Sequence, residues 1–288
     1  MLIPVNYHKR HYPPHIRPHI FELAGHFDIE SISPRGPFSL HTEYSYGKRK
    51  FSNKLISAFQ VIIKSTKEGV PQLWFSEKWA LEFSSFIKAL CKDNHPEIIE
   101  IHPPFSDYTP SINDFIEVYR VFETEIMEHY PKTHILLENR SGSIYSGGKF
   151  LISKGKDLRE LAELITSRSL HLRITLDLPQ LLTSYAGPQK LSQESFISIL
   201  HRQNTLAPFI KSIHLWGKKK SSNGREVAHC GDLTTYFSDN DKKNFFLNWL
   251  SEFLDDGIDR FFVPEVNSSN EDLESIVNDL ERNNIKFR

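Results

Sequence analysis

Six short apolar runs in this chain each end on a residue that can bind a metal. FSLH closes on His41, IIEIH on His102, HILLE on Glu138, LRITLD on Asp177, KSIH on His214 and FFVPE on Glu265. Between the runs, apolar residues recur at helical spacing. Phe115, Val118, Tyr119, Phe122 and Ile126 form one stripe, and Phe246, Trp249, Leu250 and Phe253 another. Leu273, Ile276, Val277 and Leu280 form a third, behind the acidic start of Ser269, Asn270, Glu271 and Asp272. Short runs of Ile, Leu, Val and Phe without polar alternation suit strands covered on both faces. Such strands alternating with amphipathic helices give a parallel sheet with right-handed crossovers. Parallel strands deliver their last residues to one rim, so the six residues are expected to meet.

The strand candidates are residues 37–41, 71–75, 98–102, 134–138, 172–177, 210–215 and 261–265. An eighth falls at 20–24 or at 27–33, and eight would close a barrel. The expected fold is α/β, a single (β/α)8 TIM barrel. An open doubly wound sheet is the alternative, weakened because no strand is followed by a glycine-rich dinucleotide fingerprint. Residues 1–36 read as an N-terminal lead-in segment that can hold the first strand, and 37–288 as the barrel. The lead-in carries His8, His11, His15 and His19, but its spaced prolines point to extended chain rather than a metal-binding arm. Residues 141–156 and 217–224 follow strands and are expected to be rim loops.

Composition narrows the partners. The net charge is -1, so no global basic field advertises nucleic acid, though a local patch would suffice. The two cysteines, Cys91 and Cys230, make no disulfide framework and suit a reducing, cytoplasmic setting. No run approaches the ~20 apolar residues of a membrane helix, and the first twenty residues lack a signal-peptide core. His, Asp and Glu together occupy roughly one position in six, yet one of them stands at or next to the end of six of the seven strand candidates. Imidazole and carboxylate together suit a divalent transition metal such as Zn, Mn or Fe rather than calcium.

The motifs resemble those of a known superfamily, the xylose isomerase-like TIM barrels that include endonuclease IV (AP endonuclease family 2) and the sugar phosphate isomerases and epimerases. HILLENRSGS resembles its strand-five motif, LDLPQLLTSYAG the Leu-Asp-x-x-His motif, SIHLWGKKK the strand-seven motif and PEVN the final glutamate. The resemblance implies a shared four-ligand core of Glu138, Asp177, His214 and Glu265, with Glu138 and Glu265 as catalytic carboxylates. His102 in EIHPPF and His41 in LHTEYSYG resemble histidines of the endonuclease branch, and His229 in AHCGDL a histidine after strand seven. One ion would take His41, His102 and Glu138. A second would take Glu138 as a bridge with Asp177, His214 and Glu265. The cofactor implied is one or two divalent ions, Zn or Mn.

The chain also departs from the endonuclease pattern. Gln180 stands where that branch has a histidine, and Val227 where it has an aspartate, so two of the three ligands of a third ion are missing. Three functions follow. The first is metal-dependent hydrolysis of a phosphodiester bond, with Arg140, Lys218, Lys219, Lys220 and Arg225 available to phosphates and Tyr44, Tyr46, Trp74 and Trp216 to bases or a pocket. Gln180 would then meet substrate or a water. The second is sugar isomerisation, epimerisation or dehydration through an enediolate, favoured by the near-zero charge and opposed by Gln180 and the extra histidines. The third is a barrel that has lost its chemistry and serves as a binding module. The partners are accordingly nucleic acid or a small phosphorylated or sugar substrate, with no membrane.

Overall fold

A computed structural model of the chain describes residues 1–221 and 223–288. Among these, eight parallel strands close a barrel: β1 (Leu2–Asn6), β2 (Ile20–Gly25), β3 (Phe38–Thr42), β4 (Ile98–Ile101), β5 (His134–Glu138), β6 (Arg173–Asp177), β7 (Ile210–Leu215) and β8 (Arg260–Pro264). Neighbours follow chain order and β8 returns to β1, so the (β/α)8 architecture expected from the sequence is the one observed. Ser222, in the expected rim loop 217–224, lies outside the described residues.

The chain divides into two compact units, Glu22–Arg173 and Met1–Phe21 with Ile174–Arg288. In the first, β3 pairs with β4, setting His41 level with Glu100, and β4 pairs with β5. Leu40, Ile99, Ile101, Leu136 and Leu137 are fully buried, which is why these strands read as apolar on both faces. The helices α1 (Glu77–Cys91) and α2 (Ile112–His129) start where Ser76 and Ser111 accept backbone N–H bonds from Trp79 and Asp114. Their apolar stripes meet in an aromatic cluster of Trp74, Trp79, Phe83, Phe115 and Phe122.

In the second unit, β7 lies between β6 and β8, with Asp177 level with His214 and His214 level with Val263. β1 pairs with β8 through Leu2–Arg260, Ile3–Phe261 and Pro4–Phe262. Arg260 is fully buried, and its guanidinium donates to the carbonyls of Ile210 and Ala207 and to Asp256. A buried guanidinium is tolerable only when paired and hydrogen-bonded in this way. Among the described residues, no helix is long and apolar enough to cross a membrane.

The structure corrects the sequence reading at three places. Residues 1–36, read as a lead-in that can hold the first strand, carry two barrel strands, β1 and β2. Proline forbids helix there, but a short strand accommodates Pro4. Of the two places proposed for the eighth strand, 20–24 is strand and 27–33 is not. Residues 71–75 are not a barrel strand. Val70–Pro71 pairs only with Thr66–Lys67, and the chain then turns, Leu73 N–H donating to Pro71 and Trp74 adopting a φ of 60°. Within that run Leu73 and Trp74 are buried, Trp74 against the rings of α1 and α2, while Phe75 is exposed. With no strand between them, β3 and β4 are neighbours, and so are the strands of His41 and His102.

Trp74 is 1% exposed, and its indole N–H donates to the carbonyl of His102 at 2.7 Å. It is thus committed to core and backbone rather than to stacking a base. Trp74→Phe keeps the aromatic packing but strands a buried carbonyl. It should lower unfolding stability by about 1–3 kcal/mol in urea, while Trp79→Phe, tested in parallel, leaves the His102 carbonyl paired.

Candidate metal centre

In the unit Glu22–Arg173, the ends of β3, β4 and β5 bring His41, His102 and Glu138 together. One ligand atom from each lies within 4.8 Å of the others. Glu138 Oε2 is 3.5 Å from His41 Nε2 and 3.4 Å from His102 Nδ1, and the two imidazoles approach at 3.2 Å through Nε2. The other carboxylate oxygen of Glu138, Oε1, accepts from Arg140 at 2.8 Å. Arg140 is itself buried, donates to the Tyr44 hydroxyl and lies 4.3 Å over the Tyr44 ring. Tyr44 meets His102 edge-on at 4.8 Å. Arg140 and Tyr44 therefore form one wall of the group, with the guanidinium turned to Glu138.

The two imidazoles experience opposite fields. Burial opposes charge on His41, but the carboxylates of Glu22, Glu100 and Glu138 outweigh it and hold His41 well above the usual imidazole range. Burial pushes His102 down to about 3; Glu138 opposes the shift, and His41 and Arg140 add to it. His102 is thus neutral and carries one N–H. Its Nε2 lies 3.0 Å from the Thr42 carbonyl, which can only accept, so the proton is on Nε2. Nδ1 then presents a lone pair to Glu138 Oε2, and it has no hydrogen-bond partner. Two electron-rich atoms facing each other in a dry pocket repel unless a cation lies between them. The residues present fit a divalent ion.

In the other unit, Asp177 ends β6 and caps the short helix α3 (Leu178–Ser184). Its Oδ1 accepts the backbone N–H of Gln180 at 2.8 Å, and Oδ2 accepts the indole N–H of Trp216 at 3.0 Å. His214 is fully buried, with Nδ1 3.5 Å from Glu265 Oε1. Glu265 Oε2 is 3.3 Å from His229 Nδ1. His229 has a φ of 58° and lies over Trp216, ring centroids 4.4 Å apart. Asp177, His214 and Glu265 each offer a ligand atom within 4.8 Å of the others, and His229 approaches this group through Glu265.

Several residues read from the sequence as open to substrate are otherwise engaged. Trp216 is 2% exposed and orients Asp177. Lys218 pairs with Glu226 at 2.7 Å and Lys219 with Asp272 at 2.7 Å, both on the ladder formed by Lys218–Lys220 and Glu226–Ala228 or its neighbour helix. Gln180 is buried in α3. Tyr46 is buried and donates to the Ile62 carbonyl. Two residues escaped the sequence reading. Glu22 on β2 and Glu100 on β4 approach His41 at 3.4 and 3.7 Å. Both sit within or early in strands rather than at their ends. A charged residue inside an apolar run, as Glu100 is in IIEIH, was the available signal.

The imidazoles set a pH dependence for the metal-free protein. An unfolded chain's imidazole takes a proton near pH 6.5, which folded His102 refuses until about 3. The stability from this group is present above about pH 6.5 and is lost as pH falls toward the folded value. His41 acts with the opposite sign. Its contribution is full below about pH 6.5 and is lost as pH rises through its raised value. With chelator present, the urea midpoint should fall on acidification below about 6.5, and His102→Asn should flatten that fall.

No protein-family profile matches the chain, and no curated protein matches it. Solved structures do match. The crystal structure of AsfvAP:AG has a TM-score of 0.51 and 13% identity over 90% of this chain and 95% of that one. An AP endonuclease, family 2, from Brucella melitensis has a TM-score of 0.44 and 10% identity over 88% and 85%. A xylose isomerase domain protein from Planctomyces limnophilus has 0.41 and 16% over 96% and 98%. At such identities the likeness concerns fold alone. The chain is a (β/α)8 barrel, and barrels of the AP endonuclease family 2 and xylose isomerase-like kinds are among those it resembles.

Proposed function

We propose that this barrel is a metal-dependent hydrolase of phosphodiester bonds. The observation that carries the reading is the lone-pair confrontation between His102 Nδ1 and Glu138 Oε2 inside a buried pocket. His41, His102 and Glu138 would hold one ion. Asp177, His214 and Glu265 would hold a second, with His229 beside Glu265. A set of imidazole and carboxylate donors of this number favours zinc or manganese. Such an ion, when bound, supplies Lewis acidity toward water and a phosphoryl oxygen. Histidines on β3 and β4 favour the endonuclease-like branch over the isomerase-like one.

The chain's own residues supply the remainder. Arg140 neutralises one oxygen of Glu138 and leaves Oε2 toward the histidines. Trp216 and the N-terminus of α3 hold Asp177 in place, which preserves ligand orientation without adding charge. Glu265, 4% exposed, stands beside the more exposed His229 and would accept a proton at Oε2. Arg140 and Tyr44 would line the substrate side.

One observation favours a second reading, isomerisation or epimerisation of a sugar. Lys218 and Lys219, two of the lysines expected at phosphates, are paired with Glu226 and Asp272. Cations already paired leave less positive charge for a phosphate, which suits a neutral substrate, for which Glu138 and Glu265 would move the proton.

A panel of abasic, nicked and single-stranded DNA, run beside a panel of ketoses and aldoses with and without chelator, separates the two. Cleavage of nucleic acid that chelator abolishes is expected. Turnover of a sugar alone would sink the hydrolase reading. Glu138→Gln and His214→Ala should remove metal and activity together. Trp216→Phe should keep the fold and weaken metal binding about tenfold or more, as loss of a ligand's hydrogen-bond partner does. Unchanged metal affinity in Trp216→Phe would mean that Asp177 is not a ligand.

A further inference from the structure

His41 has carboxylates on both of its nitrogens. On one side, Glu22 Oε1 is 3.4 Å from Nδ1. On the other, Nε2 faces Glu138 Oε2 at 3.5 Å, Glu100 Oε1 at 3.7 Å and His102 Nε2 at 3.2 Å. The Glu22 side chain is 4% exposed, and its second oxygen, Oε2, is buried with no hydrogen-bond partner. A carboxylate so placed is costly to bury, and none of the chemistry described above uses it.

The two ring nitrogens of a histidine ligand have separate tasks. One gives its electron pair to the ion, and the other donates its N–H to an acceptor that fixes the tautomer. A proton on Nε2 alone would turn the Nδ1 lone pair onto the Glu22 carboxylate, electron pair against electron pair. A proton on Nδ1 removes that conflict and leaves Nε2 as the donor atom on the side of Glu138 and His102.

We propose that Glu22 is the positioning residue for His41, its carboxylate accepting Nδ1–H so that Nε2 is presented to the ion. Glu22 lies on β2 and His41 on β3, so the pairing of one residue with the other is a matter of two barrel strands and requires no loop. Glu100, level with His41 on β4, approaches the opposite nitrogen and serves the ion's side of the ring. The inference rests on the metal reading of the site and adds a residue to it.

The test uses the full chain, stripped of metal and titrated with Zn²⁺ in competition with a chromophoric chelator. Glu22→Leu should lose about 10–100-fold in affinity for the ion held by His41. Glu22→Gln, whose amide oxygen still accepts Nδ1–H, should lose much less. Nitrogen-15 NMR of the imidazoles, with His41 assigned through His41→Asn, should show Nδ1 protonated in the zinc-loaded wild type.

If wild type and both variants bind zinc equally, the inference fails and the metal centre stands. Zinc-loaded His41 protonated on Nε2 would also overturn it. If wild type takes up neither zinc nor manganese, the metal reading itself fails. Should Glu22→Leu not fold, the NMR signature and the affinity of Glu22→Gln decide alone. A Glu22→Gln protein that loses stability and affinity in equal measure would mark a structural ion pair and overturn the proposal.

Discussion

Hydrogen-bonded register between parallel strands is the constraint on which the rest of this molecule depends. Once β7 is paired with β6, Asp177 and His214 must lie level, and once β3 is paired with β4, His41 lies level with Glu100. A slip of one residue would turn each of these side chains to the other face of its strand. The apolar neighbours, Leu40, Ile99 and Leu136 among them, are fully buried and hold the register by the cost of exposing them. The polar residues at the strand ends are thus positioned by the hydrophobic core beside them.

Charge balance is the second organising demand. His41, His102, Glu138, Glu22, Glu100 and Arg140 share one buried neighbourhood in the unit Glu22–Arg173. Arg140 offsets one carboxylate and a protonated His41 part of the remainder. His102 stays neutral because burial and nearby cations deny it a proton. A divalent ion would replace the proton on His41 and relieve the facing lone pairs of His102 and Glu138. Its binding should therefore release a proton and strengthen as pH rises.

The supports of the ligands are as distinct as the ligands. Trp216 and the amide of Gln180 hold Asp177, Trp74 holds the carbonyl of His102, and Arg140 holds Glu138. Each is a neutral donor or a cation aimed at an oxygen. All three tryptophan and arginine side chains, Trp74, Trp216 and Arg140, were weighed from the sequence as contacts to substrate. In the folded chain all three point inward, because an indole N–H or a guanidinium beside a buried oxygen is more valuable there than in solvent.

The strand ends were legible in the sequence because a strand buried on both faces is an uninterrupted apolar run, and a polar residue marks where burial stops. That rule found β3 to β8 and the residues His41, His102, Glu138, Asp177, His214 and Glu265. It misjudged residues 71–75, where Leu73 and Trp74 are buried without belonging to a barrel strand, and it passed over β1, whose Pro4 resembles a breaker. The residue types and their order along the chain were determined by sequence alone, and with them the barrel and the kind of chemistry its rim can support. Tertiary structure alone decided the partners: Glu22 for His41, Arg140 for Glu138, Trp216 for Asp177, Glu226 for Lys218. Periodicity records whether a side chain is buried. Which charge or donor it meets there depends on residues distant in sequence, brought near only when the strands pair.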